Sequence, residues 1–250
     1  MYCYTCQDDW ESMLTCIYDA WSSRKGNKNI RLMLEPVLQT NLLDEYIHVD
    51  ADSDKVRKLM DAINYKISSH FYHEMAYTAL GYEEDVLDNI FHCLILGFKY
   101  GPSALEMVQY RDIMRNQMIR TRIGKEVCRF QEVMRFHQVG DVYISHFEPK
   151  SKIAITLGPI FEDRMPSEYW VIVDDVHHEA VIHPKDEHYY MRQLTDTEFS
   201  RLLETEQVND EYTQLFKTFF NALSINERTN EQCQLNHFPL WSRKHAVEFT

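Results

Sequence analysis

Between Arg111 and Arg135 the sequence carries seven Lys or Arg against three acids, in a chain of formal net charge −13. Ile119, Ile123, Val127, Phe130 and Met134 run through the same segment at spacings of 4, 4, 3 and 4. That period belongs to an α-helix and to no strand. Whatever the chain folds into must bury the apolar stripe of one long helix and leave a cationic ridge beside it. The pattern predicts a helix from Pro102 towards Met134, with a bend at Gly124. At about 100° per residue, Arg111, Arg115, Arg122, Lys125 and Arg129 fall within an arc of roughly 80°, about a third of a turn from the stripe.

The segments on either side are acidic and differ in pattern. Before the helix, Tyr2–Thr5 and Tyr46–Val49 read as short strands, and helices are expected from about Asp9 to Ser23, Lys55 to Ser69 and Glu83 to Leu96. Asp52-Ser53-Asp54 supplies capping and dipole-matching groups, and Gly97 is expected to stop the third helix. After Phe136, Val142–Phe147, Tyr169–Val173, Ala180–His183 and His188–Arg192 read as strands, with Gly140-Asp141 as a turn. Ile153–Phe161 reads as a short helix interrupted at Gly158-Pro159. Thr195-x-x-Glu198 has the form of a capping box, and a last helix carries Tyr212, Leu215, Phe216, Phe219, Phe220 and Leu223 on one face. The expected fold class is α+β rather than βαβ winding. A helix-rich N-terminal lobe (about 1–100) packs on a mixed C-terminal lobe (about 136–250) with a small, mainly antiparallel sheet. The basic helix (about 102–134) joins them in a single domain.

Composition excludes several functions. Hydrophobic residues make up 44% of 250, enough for a sizeable core. Seven glycines, with no G-x-G-x-x-G and no G-x-x-x-x-G-K-[ST], leave no Gly-rich phosphate cradle. A uniformly basic polyphosphate-binding surface is excluded by 39 acids against 26 bases, whereas a local basic patch is not. The first residues lack a basic n-region, no apolar run approaches a membrane span, and six cysteines lack disulfide-framework spacing. A reduced, cytoplasmic protein is expected.

Candidate chemistry is sparse. Cys3-x-x-Cys6 is half of a zinc-site spacing without a second pair. His70-x-x-His73 beside Glu74 lacks the H-E-x-x-H order and fits a surface helix. His177, His178, His183 and His188 lie close in sequence and read as surface residues, so no metal site and no cofactor is assigned. Asp141 followed by Glu148-Pro149-Lys150 resembles the spaced acids and lysine of metal-dependent nucleases, but Pro149 distorts the strand that would present them. Asp174-Asp175 at a strand end is a better acidic pair, and equally ordinary turn chemistry. The basic ridge fits either a nucleic-acid backbone or pairing with the protein's own carboxylates.

Several strings, read in order, are similar to one family. They are Gly97-Phe98-Lys99 with Gly101, Arg129-Phe130, Arg135-Phe136, Glu148-Pro149, Asp163-Arg164-Met165-Pro166, Trp170 and Asp174. Phe219-Phe220, Glu227-Arg228-x-Asn230, Gln234, Pro239, His245 and Glu248 complete the series. The chain resembles a bacterial family described as DNA metabolism (DNA repair) proteins and built on a domain of unknown function. One departure is Ile160, where the family pattern has a histidine before Phe161. The resemblance implies a partner, a radical-SAM protein encoded nearby, and relatives fused to a uracil-DNA-glycosylase-like domain. It implies no established reaction.

The expected function is that of an accessory protein of DNA metabolism that contacts DNA through Arg111, Arg115, Arg122, Lys125 and Arg129 and works with that partner. Asp163, Arg164, Asp174, Glu227, Arg228 and Asn230 are candidates for a polar cluster, catalytic or structural. The alternatives are a metal-dependent nucleic-acid hydrolase using Asp141, Glu148 or Asp174, and a protein adaptor that does not bind DNA.

Overall fold

The strand β1 (Tyr2–Cys6) is covered on both faces, with Cys3, Tyr4, Thr5 and Cys6 all buried. In the computed structural model, which describes residues 1–205, 214–215, 218–219, 222–223 and 230–246, the chain divides into two units, Met1–Ile123 and Gly124–Thr250. In the first unit β1 is the centre of a three-stranded parallel sheet, between β2 (Ile30–Leu34) and β3 (Glu45–His48). The helix α1 (Trp10–Ser22) makes the β1–β2 crossover that parallel pairing requires. Asp9 starts it by accepting the Ser12 amide at 2.9 Å, and Met13, Leu14, Ile17 and Ala20 face the core. Each large side chain buried this way contributes about 1.5–3 kcal/mol.

The parallel ladder in this unit is a departure from the sequence expectation, which places no strand at β2. Only Ile30 and Leu32 of β2 are buried, and Arg31 is exposed. Its outer edge is held by Asp88, whose Oδ1 accepts the Leu32 amide at 3.0 Å from 56 positions along the chain. Asp52 and Ser68 cap α2 (Ser53–Lys66) and α3 (Ser69–Thr78).

Gly97 does not stop α4 (Val86–Tyr100) but lies inside it. A Cβ at Gly97 would lie 2.7 Å from the Phe71 ring, so the glycine serves close helix packing. Gly101, at φ +71°, ends the helix instead. A 3₁₀ turn over Gly101–Glu106 then delays the basic helix, and α5 spans Arg111–Val133. The Tyr100 and Tyr110 hydroxyls meet at 2.8 Å across this connection.

In the second unit the strand order is β4 (His137–Val139), β5 (Val142–Phe147), β6 (Tyr169–Asp174), β7 (Glu179–His183), β8 (Tyr190–Gln193). Only the β5–β6 pair is parallel, so this sheet is mainly antiparallel as expected, and the α+β class holds for the chain. Alternation sorts its residues. Ile144, Val173 and Ala180 line one face and meet Phe199 and Leu202 of α7 (Asp196–Thr205). Phe147 and Trp170 line the other, where Phe130 of α5 and Phe161 of α6 (Ala154–Arg164) cover them with ring centroids 5.0 and 6.3 Å away.

The helix α6 runs through Gly158 and Pro159 without interruption. The capping box forms as read, with the Thr195 amide donating to Glu198 Oε2 at 3.0 Å and the Glu198 amide to Thr195 Oγ1 at 3.4 Å. A short helix, α8 (Glu231–His237), is followed by a 3₁₀ turn over Leu240–Ser242. Tyr212, Phe216 and Phe220 of the expected last helix lie outside the described residues. Among the described residues no helix is long and apolar enough to cross a membrane.

Candidate functional site

Two arginines on the basic face of α5 are paired with acids of the first unit. Arg115 reaches Asp85 with both Nε (2.9 Å) and Nη2 (2.6 Å). This pairing holds the Asp85 carboxyl below its ordinary value. Arg122 Nη1 lies 2.9 Å from Glu83 Oε1, and Arg120 pairs with Glu74 of α3. The acidic run Glu83-Glu84-Asp85 precedes α4 in the same unit, so local topology brings these opposite charges together. Arg111 and Lys125 are exposed, with no ion pair among the described residues.

Arg129, on the second unit's half of the helix, has a different environment. Its guanidinium lies 5.2 Å from the centroid of the half-buried Trp241 ring, and the Lys150 ammonium lies 5.1 Å from the same ring. Trp241 rests edge-on against Phe130, at 5.9 Å. Buried Glu126, one turn before Phe130, accepts the Lys150 and Ser151 amides and so fixes the loop that carries Lys150.

Beside this group, the parallel β5–β6 register places Phe147 opposite Asp174, and the Asp175 amide donates to the Phe147 carbonyl at 3.0 Å. Glu148 and Asp175 therefore leave the sheet side by side at its C-terminal edge. By alternation His146 shares their face, and its Nδ1 is 2.9 Å from Asp175 Oδ1. The C-terminal segment adds His245, whose Nε2 is 3.5 Å from Asp175 Oδ2, and Lys244, which pairs with Glu148. The rings of His137 and His245 both stack with the His146 ring, with centroids 6.2 and 6.3 Å from it. Glu148, Asp175 and His245 offer three ligand atoms within 4.8 Å of one another.

Asp174, Arg164 and Asn230, also singled out in the sequence, serve local roles. Asp174 points to the opposite face and is fully buried, accepting the Val176 and His177 amides at 3.0 Å and meeting His177 Nδ1 at 2.7 Å. Asp163 is exposed near the end of α6. Arg164 donates to the Gln131 carbonyl and lies over Phe161. Asn230 caps α8 by accepting the Cys233 amide, and Glu227 and Arg228 lie outside the described residues.

The four clustered histidines disperse. His177 meets Asp174, His178 stacks on Phe199, His183 stacks on Trp170 and His188 meets Glu162. Cys3 and Cys6, three apart on a strand, face opposite sides of β1, so they cannot converge on one ion. Asp141 is exposed in the β4–β5 turn. His146, Trp241 and Lys244 were missed as site residues, and Asp175 was named only as half of the Asp174-Asp175 pair. The i, i+2 pair His146 and Glu148 at a strand end was the available signal.

A concavity of about 600 Å³ lies in the first unit and is lined by Arg31, Asn41, Asp44, Tyr46, Tyr82 and Glu83, among others. Its polar groups come from several segments, among them Asp8, Glu35 and Glu84.

A family model described as a domain of unknown function, DUF4130, matches residues 84–248, more than half of the chain. The chain belongs to the DUF4130 family. No curated protein matches it. The DUF4130 region takes in α4, α5, the five-stranded sheet and every residue of the Glu148–Asp175–His245 group. It starts after β1–β3 and α1–α3, so the first unit's parallel sheet lies outside the match.

Proposed function

We propose that the protein is a cytoplasmic accessory factor of DNA metabolism that contacts DNA through Arg129, Lys150 and Trp241 of the second unit. The observation that carries the reading is the Trp241 ring flanked by a guanidinium at 5.2 Å and an ammonium at 5.1 Å. A ring with two cations over it suits a strand whose bases are unpaired, because a base that displaces a cation stacks on the ring while the cations follow the phosphates. Lys125, exposed on the second unit's part of α5, extends the same chemistry. Arg115 and Arg122 must first release their carboxylates, so they contribute less than their position on the face implies. The resemblance to DNA metabolism proteins supports DNA rather than another polyanion, and a radical-SAM protein as the partner that carries the chemistry.

Anisotropy of a labelled single strand at low salt tests the reading. Trp241→Ala is expected to weaken binding by about 1–3 kcal/mol, the range for loss of one stacked base. Unchanged affinity in that variant, or no binding by the parent protein, contradicts it.

A further inference from the structure

We propose that Glu148, Asp175 and His245 bind one divalent metal ion of the zinc type, with His146 positioning Asp175. The site concerns the second unit alone and stands whether or not the protein binds DNA.

Two independent observations point to a ligand. The first is the convergence of two carboxylates and an imidazole, from three separate segments, with donor atoms within 4.8 Å of one another. The second is Asp175 itself, whose side chain is only 5% exposed. One of its oxygens is taken by His146, while Oδ2 is buried without a hydrogen-bond partner among the described residues. Buried carboxylates are normally hydrogen-bonded at both oxygens, ion-paired or bound to a metal.

Distance discriminates among these. Asp175 Oδ2 and His245 Nε2 are 3.5 Å apart, long for a charge-assisted hydrogen bond. Two donors each about 2.0–2.1 Å from a tetrahedral ion lie about 3.4 Å apart. The pair therefore has the separation of neighbouring ligands on one ion. One imidazole and two carboxylates form the three-ligand set of zinc sites that keep a fourth position open.

His146 fits the supporting part. Its Nδ1 holds the far oxygen of Asp175 at 2.9 Å, which turns Oδ2 towards His245. Hydrogen-bond partners of this kind orient ligands in metal sites. Lys244 opposes binding, because its ammonium pairs with Glu148. An incoming cation must displace it, and the exposed lysine chain can swing away into solvent.

The test is calorimetric titration of Zn²⁺ into the tag-free, chelator-treated full chain, with Co²⁺ absorbance as a second readout. One equivalent of zinc is expected to bind, and Co²⁺ to give the intense visible bands of tetrahedral coordination. Asp175→Asn, His245→Gln and Glu148→Gln are each expected to weaken binding at least about tenfold, and His146→Ala by about ten- to a hundredfold. Lys244→Met, a change at an exposed position that leaves the core intact, is expected to tighten it. Absence of zinc binding by the parent chain overturns the site. So does an affinity unchanged in Asp175→Asn and His245→Gln, or one that Lys244→Met fails to raise.

Discussion

Each unit pairs histidine with carboxylate at the C-terminal edge of parallel strands, and the two groups differ in burial. In the first unit His48 ends β3, with Nδ1 2.7 Å from Glu35 and Nε2 3.1 Å from Asp50, all three reaching solvent. In the second, Asp175 lies between His146 and His245 with almost no exposure. Water screens the first group and makes its geometry nearly neutral in energy. The second has no water to fall back on, so each polar atom there must be satisfied by a neighbour or a ligand. The same contrast divides α5. Arg115 and Arg122 are paired off by the first unit's acids, whereas Arg129 is directed to an aromatic ring.

The largest expected effect breaks the buried member. Asp175→Ala removes the shared partner of two histidines and is predicted to destabilise the protein by about 1–3 kcal/mol, read as a lower urea midpoint. Glu35→Ala, the equivalent change in the exposed group, is predicted to cost under about 1 kcal/mol. Equal losses would show that burial does not separate the two groups. Between them falls Arg122→Ala, which strands Glu83, a carboxylate whose side chain is only 6% exposed. A loss of about 1–2 kcal/mol is expected there, restored in part by Glu83→Gln in the same chain.

The smallest effect is a pH dependence. Hydrogen bonds to Glu35 first and Asp50 second raise His48 above its ordinary value near 6.5. Its contribution is therefore complete below 6.5 and disappears as pH rises through the raised value. Glu35 is lowered from 4.5, by the Thr5 hydroxyl first and His48 second, so its contribution holds above 4.5 and is lost as pH falls through the lowered value. Stability of His48→Ala should approach that of the parent at alkaline pH and fall slightly short of it between about 4.5 and 6.5. A difference that grows with pH would reverse the assignment.

How much of this was legible in the sequence depended on whether the controlling contact was local. The alternation of Val142–Phe147, the Asp52 and Thr195 caps and the α5 stripe are set by neighbours within a turn or a strand, and they appear where the pattern puts them. The edge strand β2 is held by Asp88, and Gly97 is explained by Phe71, so neither could be read from its own surroundings. Asp174 and Asp175 are adjacent and chemically identical. Only the β5–β6 register shows that one turns into a loop cap while the other meets His245, 70 positions on. The paired cations of α5 were an alternative visible from composition, but which arginines pair depends on where the Glu83–Asp85 run folds back.

The measurement that bears most directly on the central claim is a salt series of single-strand binding for two charge-reversal variants. Arg129→Glu with Lys150→Glu removes the cations beside Trp241, and Arg115→Glu with Arg122→Glu removes the paired ones. Each phosphate contact contributes about 0.7 to the slope of log affinity against log salt on a single strand. The first variant is predicted to flatten the slope by about 1.4, and the second to leave it nearly unchanged. Equal flattening in both, or loss only in the second, would contradict the account and return the contact to the whole face of α5.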